Sequence, residues 1–584
     1  MRAWYNTLVC ATLLSLAGCG GDPAAEMVAA QGDADLIITN ARIYTGGDSP
    51  AMVGAMAIGN GKVLAIGTAD EVGLRASQNA TVLDLNGRFV MPGINDAHSH
   101  PIMGAMQTLY SCNFFFTDTP EQIQNALTAC VAAQADAEWV MGGRWGSDLF
   151  EIHAFDSPRG FLDQISNKPI SLVDDTGHNL WVNSAVLARL GIDENTPDPD
   201  NGRIVRDENG VPNGVLLETA AKLVRDVMPP PTPAQQVAAA EEAARLYNSL
   251  GMTGFKDAGA YDEAVAGFVG ANAKGKLTAH VAVSQRTPYG PRAEPLSLSM
   301  LDEMMAIRDT HDAANLHFNT IKIFLDGVPT TARTAAMLAP YVEDDVHDDH
   351  FDGGPVHVPL DVLKQDLVEI DRRGFRIKLH TAGDRSVRIA LDAIEHMRSV
   401  NGMNERAPEL AHAGFIDPAD IPRFKALNVA ADISPQIWNP SSVIDSVIAA
   451  LGDRGQAYWP NRALLDAGAL VVAGSDWPSA VATPASWTGI ESLVSRKNAD
   501  NEAEGALWAE QAISLEEAIR IYTLNGAEAL GLAGETGSLT PGMSADMIVL
   551  NHNLFEVPVE QISETTVLRT YFRGDVVYNN GDAL

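Results

Sequence analysis

VMPGINDAHSHPIMGAM, residues 90–106, decides how the rest of the chain is read. An apolar run ends in two histidines one residue apart, and a proline follows at once. Side chains on a strand alternate between its two faces, so His98 and His100 project to the same side and can grip one cation together. A lone His-x-His is a weak signal, because most such pairs are surface or core residues. This one gains weight from the residues that end the other apolar runs downstream.

From about residue 93 to residue 534, short apolar runs alternate with helical patterns, as βα units around a parallel sheet do. Eight runs fit: GINDAH, GMTGFKDAG, LTAHVAVS, NTIKIFLDG, GFRIKLH, APELAH, NVAADISPQ and GALVVAGSD. The expected fold is therefore α/β, a (β/α)8 TIM-type barrel, and such barrels carry their active sites at the C-terminal strand ends. Those ends are rich in ligand types. His98 and His100 end the first strand, Lys322 lies late in the fourth, His380 ends the fifth, His412 the sixth and Asp476 the eighth. The stretch from about 110 to 250 is too long for one βα connection and reads as an insertion with strands of its own, KPISLVDD among them. Both flanks change texture. Residues 35–92 and 535–584 alternate short strands and turns, which predicts that the two ends pair into one small β-sandwich domain with the barrel between them.

With 584 residues and 46% apolar content the chain suits a soluble two-domain globule. Its 40 basic against 75 acidic residues leave a net charge of −35, which argues against nucleic acid as a partner. Arg2 precedes LVCATLLSLAGC, whose apolar run of about ten residues is too short to span a bilayer and has signal-peptide size. Leu16-Ala17-Gly18-Cys19 is similar to a bacterial lipobox. Residues 1–19 are thus expected to be a lipoprotein signal peptide with Cys19 lipidated, and 20–34 a tether reaching at most ~50 Å. Membrane contact would come through that lipid alone. Gly20 after the cysteine, by resemblance to Gram-negative lipoproteins, points to outer-membrane sorting, with the body in the cell envelope, periplasmic or at the outer membrane. Cys112 and Cys130 remain for the mature fold; a bridge worth about 3 kcal/mol and two buried thiols fit equally well.

The strand-end residues, together with PGINDAHSHP, DDTGHNLWVNSAVL, KIFLDG, LHTAGDRSV, AGSDWPSA, YTLNGAEALG and GSLTPGMSADMIVL, resemble the amidohydrolase superfamily over most of the chain. They are more similar to its family-3 branch, which includes N-substituted formamide deformylase and relatives of D-aminoacylase. The resemblance implies one or two divalent ions, zinc first among candidates: His98, His100 and Asp476 would hold one, His380 and His412 the other. Lys322 would bridge them if carbamylated. Asp476 would double as general base, and His178, in the insertion, would orient the substrate carbonyl. Trp145, Arg333 and Trp477, with Asp148 and Asp384, are candidates for pocket lining, and each fits a structural role equally.

The implied activity is metal-dependent hydrolysis of a carbon–nitrogen bond, other than a peptide bond, in a small amide-like substrate. A nucleobase deaminase of the same superfamily would carry His-x-Gly-x-x-Glu after strand five, where this chain reads HTAGDRS. A non-catalytic envelope lipoprotein that binds small ligands on such a barrel would be expected to have lost ligands, and none is missing. A homodimer stays open. The acidic run EDDVHDDHFDGG, residues 343–354, matches no ligand spacing and reads as a solvated loop. The address is testable. Cys19→Ala is expected to abolish lipid labelling and move the protein from the membrane to the soluble fraction of a bacterial host; unchanged fractionation would refute it.

Overall fold

A computed structural model describes residues 32–115, 118–146, 149–153, 155–174, 179–200, 202–330, 332–342, 353–437, 440–479, 481–499 and 505–581. Cys19, Asp148, His178 and most of the acidic run lie outside the described residues.

Each of the eight apolar runs is a strand, and all eight are parallel neighbours in chain order. They are Ile94–Ser99, Met252–Ala260, His280–Arg286, Leu316–Phe324, Arg376–Thr381, Glu409–His412, Ala430–Ile433 and Leu470–Ala473. Helices outside cover them. Pro233–Ser249 is typical: Thr232 and Gln235 form a capping box at its start, and Ala239, Ala240, Ala243, Ala244 and Tyr247 make its buried stripe. Small alanines on that stripe let the helix lie close to the strands.

The ring closes where the eighth strand's exit runs beside the first strand. The Asp476 N–H donates to the His98 carbonyl at 2.7 Å, and the His100 N–H donates to the Trp477 carbonyl at 2.7 Å. Gly474 permits this approach, since a Cβ there would stand 2.3 Å from the His98 nitrogen. The eighth strand stops at Ala473, so Asp476 sits in the loop beyond it rather than ending the strand.

The two chain ends do pair. Phe89–Pro92 runs antiparallel to Met547–Leu550 in a six-stranded sheet. A four-stranded sheet of Ala34–Thr39, Ala55–Gly59, Lys62–Gly67 and Ala76–Asp84 packs on it through Ile38, Met56, Ile58 and Val63 against Val90, Met547, Val549 and Tyr571. This is the β-sandwich. It is joined to the barrel at Asp546, whose carboxylate meets His280 Nε2 at 2.9 Å and accepts from Thr536 Oγ1 at 2.6 Å. His280 begins the third strand, so the sandwich braces the end of the barrel opposite the strand C-termini.

Between strands one and two the chain builds a separate six-stranded sheet. Its core gathers Trp145, Trp181, Phe150, Phe155 and Phe161, with ring centroids 5.1–6.4 Å apart in successive contacts. Among the described residues no helix is long and apolar enough to cross a membrane.

Cys112, on an edge strand of the insertion, is disulfide-bonded to Cys130 in the helix Pro120–Ala133. The bridge spans a sequence separation of 18. In the chain-entropy picture a loop of that length contributes about 3 kcal/mol. Replacing both cysteines by serine should destabilise the insertion by roughly that amount and expose residues 112–130 to limited proteolysis under non-reducing conditions. Cleavage no faster than in the wild type would show that the bridge contributes nothing.

Candidate metal centre and active site

Three residues meet at the barrel's closing seam. Asp476 Oδ1 lies 3.6 Å from His98 Nε2 and 3.4 Å from His100 Nε2. One ligand atom from each of the three falls within 4.8 Å of the others, close enough to surround one cation. His412 and His380 continue the cluster. The His98 and His412 ring centroids are 4.7 Å apart, and those of His412 and His380 4.5 Å. Lys322 is buried nearby: a Cβ built on Gly259 would touch His100 Cε1 at 3.7 Å and Lys322 Cγ at 3.8 Å.

The backbone is unusual at these positions. His412 has φ 71° and Asp476 φ 55°, left-handed values that non-glycine residues rarely adopt. Each costs of order 1–3 kcal/mol, sustained only where the surroundings hold it. At His412 the holding contact is the Trp459 Nε1–H, which donates to its carbonyl. At Asp476 it is the seam with His98.

Carboxylates fix the imidazoles. Asp432 Oδ2 takes His98 Nδ1 at 2.6 Å, which leaves Nε2 turned to Asp476. Asp326 Oδ1 takes His380 Nδ1 at 2.9 Å, while the same carboxylate accepts from the Ala336, Ala382 and Gly383 N–H groups and the Ser386 hydroxyl. Such partners set the tautomer and aim the other nitrogen. Behind Asp432 runs a buried ionic chain: Lys378 Nζ donates to Asp432 at 2.6 Å and to Glu409 at 2.7 Å, and Lys256 Nζ donates to Glu409 at 2.5 Å.

Burial sets the protonation of the site. Loss of solvation, then the Lys378 and Lys322 charges, holds His98 well below the ordinary imidazole range. Loss of solvation, then His380 and His98, does the same to His412. Neutral imidazole is the form that binds metal. Desolvation, aided by Lys378, brings the Lys322 amine down to about 7. Desolvation raises Asp96 to about 7, although it accepts from the Ser475 hydroxyl at 2.6 Å and from the His98 N–H at 3.0 Å. Imidazoles and a carboxylate that converge on one point are a donor set that fits a divalent ion.

Residues 81–578 match the sequence profile of the amidohydrolase family. The chain belongs to that family. Among curated relatives, it is 27% identical over 559 residues to N-substituted formamide deformylase of Arthrobacter pascens, covering 93% of this chain and 98% of that protein. It is 26% identical over 596 residues to Protein LONG AFTER FAR-RED 3 of Arabidopsis thaliana, covering 98% and 95%. An uncharacterised metal-dependent hydrolase from Pyrococcus horikoshii OT3 shares its fold, with a TM-score of 0.71 at 21% identity, over 90% of this chain and 99% of that one. This amidohydrolase is thus an enzyme of the hydrolase class on a metal-site barrel.

The pocket-lining candidates fare differently. Trp145 is buried in the insertion's aromatic core, its Nε1–H on the Leu172 carbonyl. Trp477 is 3% exposed and packs edge-on to Tyr247 and against Gly104, where a Cβ would stand 2.3 Å from its ring. Arg333, at φ 53°, is 4% exposed, its guanidinium 6.0 Å from the Tyr341 ring centroid. Asp384 accepts from the Leu338 N–H at 2.7 Å and holds the loop after strand four. For Trp145, Trp477 and Asp384 these contacts account for the residue as packing or loop support. Sequence reading missed Asp96, Asp432, Glu409 and the structural use of Lys256 and Lys378. A signal existed: each is an ionisable residue inside an apolar strand, a costly placement unless it is paired.

That pairing can be broken. Lys378→Met would leave the Asp432 carboxylate buried without its cation, with an expected loss of about 3–5 kcal/mol of stability, read by denaturant unfolding. A variant as stable as the wild type would show that the ionic chain does not hold the barrel.

Proposed function

We propose that this amidohydrolase cleaves a non-peptide carbon–nitrogen bond of a small amide-like substrate with water, using Asp476 as general base. The observation that carries this reading is the convergence of Asp476 Oδ1 on both His98 Nε2 and His100 Nε2 at the C-terminal face of the barrel. His98, His100 and Asp476 would hold one divalent ion and His380 and His412 a second, with Lys322 between them once carbamylated. A zinc ion in such a site polarises the scissile carbonyl and lowers the pKa of water toward about 7.

The chain's own groups supply the rest. Asp476 takes the proton of the attacking water on a carboxylate oxygen and delivers it to the leaving nitrogen. Asp432 and Asp326 keep His98 and His380 in one orientation while this happens. Lys322 has the chemistry for carbamylation, since an amine brought down to about 7 is substantially neutral and nucleophilic near neutral pH. His178 lies outside the described residues, and its role as carbonyl-orienting group rests on the resemblance of DDTGHNLWVN. The envelope address likewise rests on Leu16-Ala17-Gly18-Cys19.

Purified, metal-loaded protein should be screened against N-acyl amino acids, formamides and lactams. On any substrate found, Asp476→Asn should lose turnover by about 10²- to 10⁴-fold. It should stay folded and retain metal by elemental analysis at the His380 and His412 position. Turnover within a few-fold of wild type would reject Asp476 as the base.

A further inference from the structure

The third barrel strand ends in an arginine that makes no close ion pair among the described residues. Arg286 closes His280–Arg286 and stands in register beside Lys322 on the fourth strand. Neighbours in register share a face of the sheet, so Arg286 belongs to the same side of the barrel wall as Lys322. Its guanidinium lies over two aromatic rings, 4.1 Å from the Tyr261 centroid and 5.2 Å from that of Phe324. No hydrogen bond or close ion pair engages it among the described residues, and the one carboxylate that feels its charge at longer range is the buried Asp257. That is out of keeping with the chain, which has 75 acidic for 40 basic residues. Arg292 takes Asp366, Arg406 takes Asp371 and Arg423 takes Asp392.

Phe324 links this guanidinium to the metal centre. The Lys322 amine is 5.1 Å from the Phe324 centroid and the His380 ring 5.9 Å, and a Cβ built on Gly259 would stand 3.8 Å from the ring tip and 3.7 Å from His100 Cε1. Tyr261 and Tyr289, the latter 5.2 Å from Phe324, are 59% and 62% exposed and form an open aromatic rim. Stacking on rings fixes the plane of a guanidinium and leaves its edge N–H donors free, in the fork that a carboxylate matches. A guanidinium whose N–H donors have no hydrogen-bonded carboxylate among the described residues, one ring from the histidine cluster, has a substrate group as its natural partner.

We infer that Arg286, positioned by Tyr261 and Phe324, binds a carboxylate carried by the substrate and so selects anionic amides over neutral ones. This rests on the hydrolytic reading above and narrows its substrate class.

The test compares N-acetyl amino acids with their methyl esters, reading acetate release from both. Wild type should prefer the free carboxylates. Arg286→Met keeps an unbranched stem between the rings and removes the charge. It should lower kcat/KM for the carboxylates by about 10- to 100-fold, chiefly through KM. It should change the esters by less than about threefold, and Arg286→Lys should recover part of the loss. Equal losses on both series, or a wild type indifferent to the carboxylate, would overturn the inference. Binding of the same N-acetyl amino acids to metal-loaded Asp476→Asn, followed by calorimetry with and without Arg286→Met, separates the two readings. Arg286-dependent binding without turnover by wild type would sink the hydrolytic proposal and leave the carboxylate site standing. Binding that ignores Arg286 would sink the site itself.

Discussion

The buried ionic chain from Lys256 through Glu409, Lys378 and Asp432 to His98 is the constraint on which the rest depends. Its members come from strands two, six, five, seven and one, and all are fully or almost fully excluded from solvent. A charge moved from water into such an interior costs several kcal/mol, and only close, hydrogen-bonded partners offset it. The chain therefore works as a unit: each cation serves a carboxylate from another strand, and removing one leaves a charge exposed to a low dielectric. Its last link is an imidazole, so the interaction that ties five strands together also sets which His98 nitrogen faces Asp476.

Barrel closure and site assembly are the same event. The seam between strands eight and one needs Gly474, because any side chain there would strike the His98 backbone. The hydrogen bonds that hold the seam belong to His98, His100 and Asp476 themselves. Asp96 adds a second tie, gripping Ser475 by both its N–H and its hydroxyl. A left-handed Asp476 is tolerated because these contacts over-determine it. The backbone groups that close the ring thus belong to the residues whose side chains converge on one point.

The other half of the cluster is built differently. His380 is aimed by Asp326, which lies just past strand four and also gathers the N–H groups of Ala336, Ala382 and Gly383. The loop after strand four and the start of the helix Asp384–Asn401 thus share one carboxylate with a candidate ligand. A change in that loop would reach His380 through Asp326, whereas His98 takes its orientation from Asp432.

Much of this was legible in the sequence because strands buried on both faces read as apolar runs, and a barrel concentrates its chemistry where such runs end. All eight strands, the insertion, the pairing of the chain ends and the six strand-end candidates follow from that pattern alone. The partners of those candidates do not. Asp432 lies far along the chain from His98, Asp326 from His380 and Glu409 from Lys256, and no local periodicity connects them; each pair meets only when distant strands become neighbours. For the same reason the sequence left Cys112 and Cys130 open and could not choose between pocket and packing for Trp145 and Trp477, rings that the folded chain buries. Arg286 shows the limit most plainly. In the sequence it is one arginine among many, and only the tertiary structure sets it beside Lys322, stacks it on two rings and leaves its N–H donors without a hydrogen-bonded carboxylate among the described residues, because partners are chosen by distance in space.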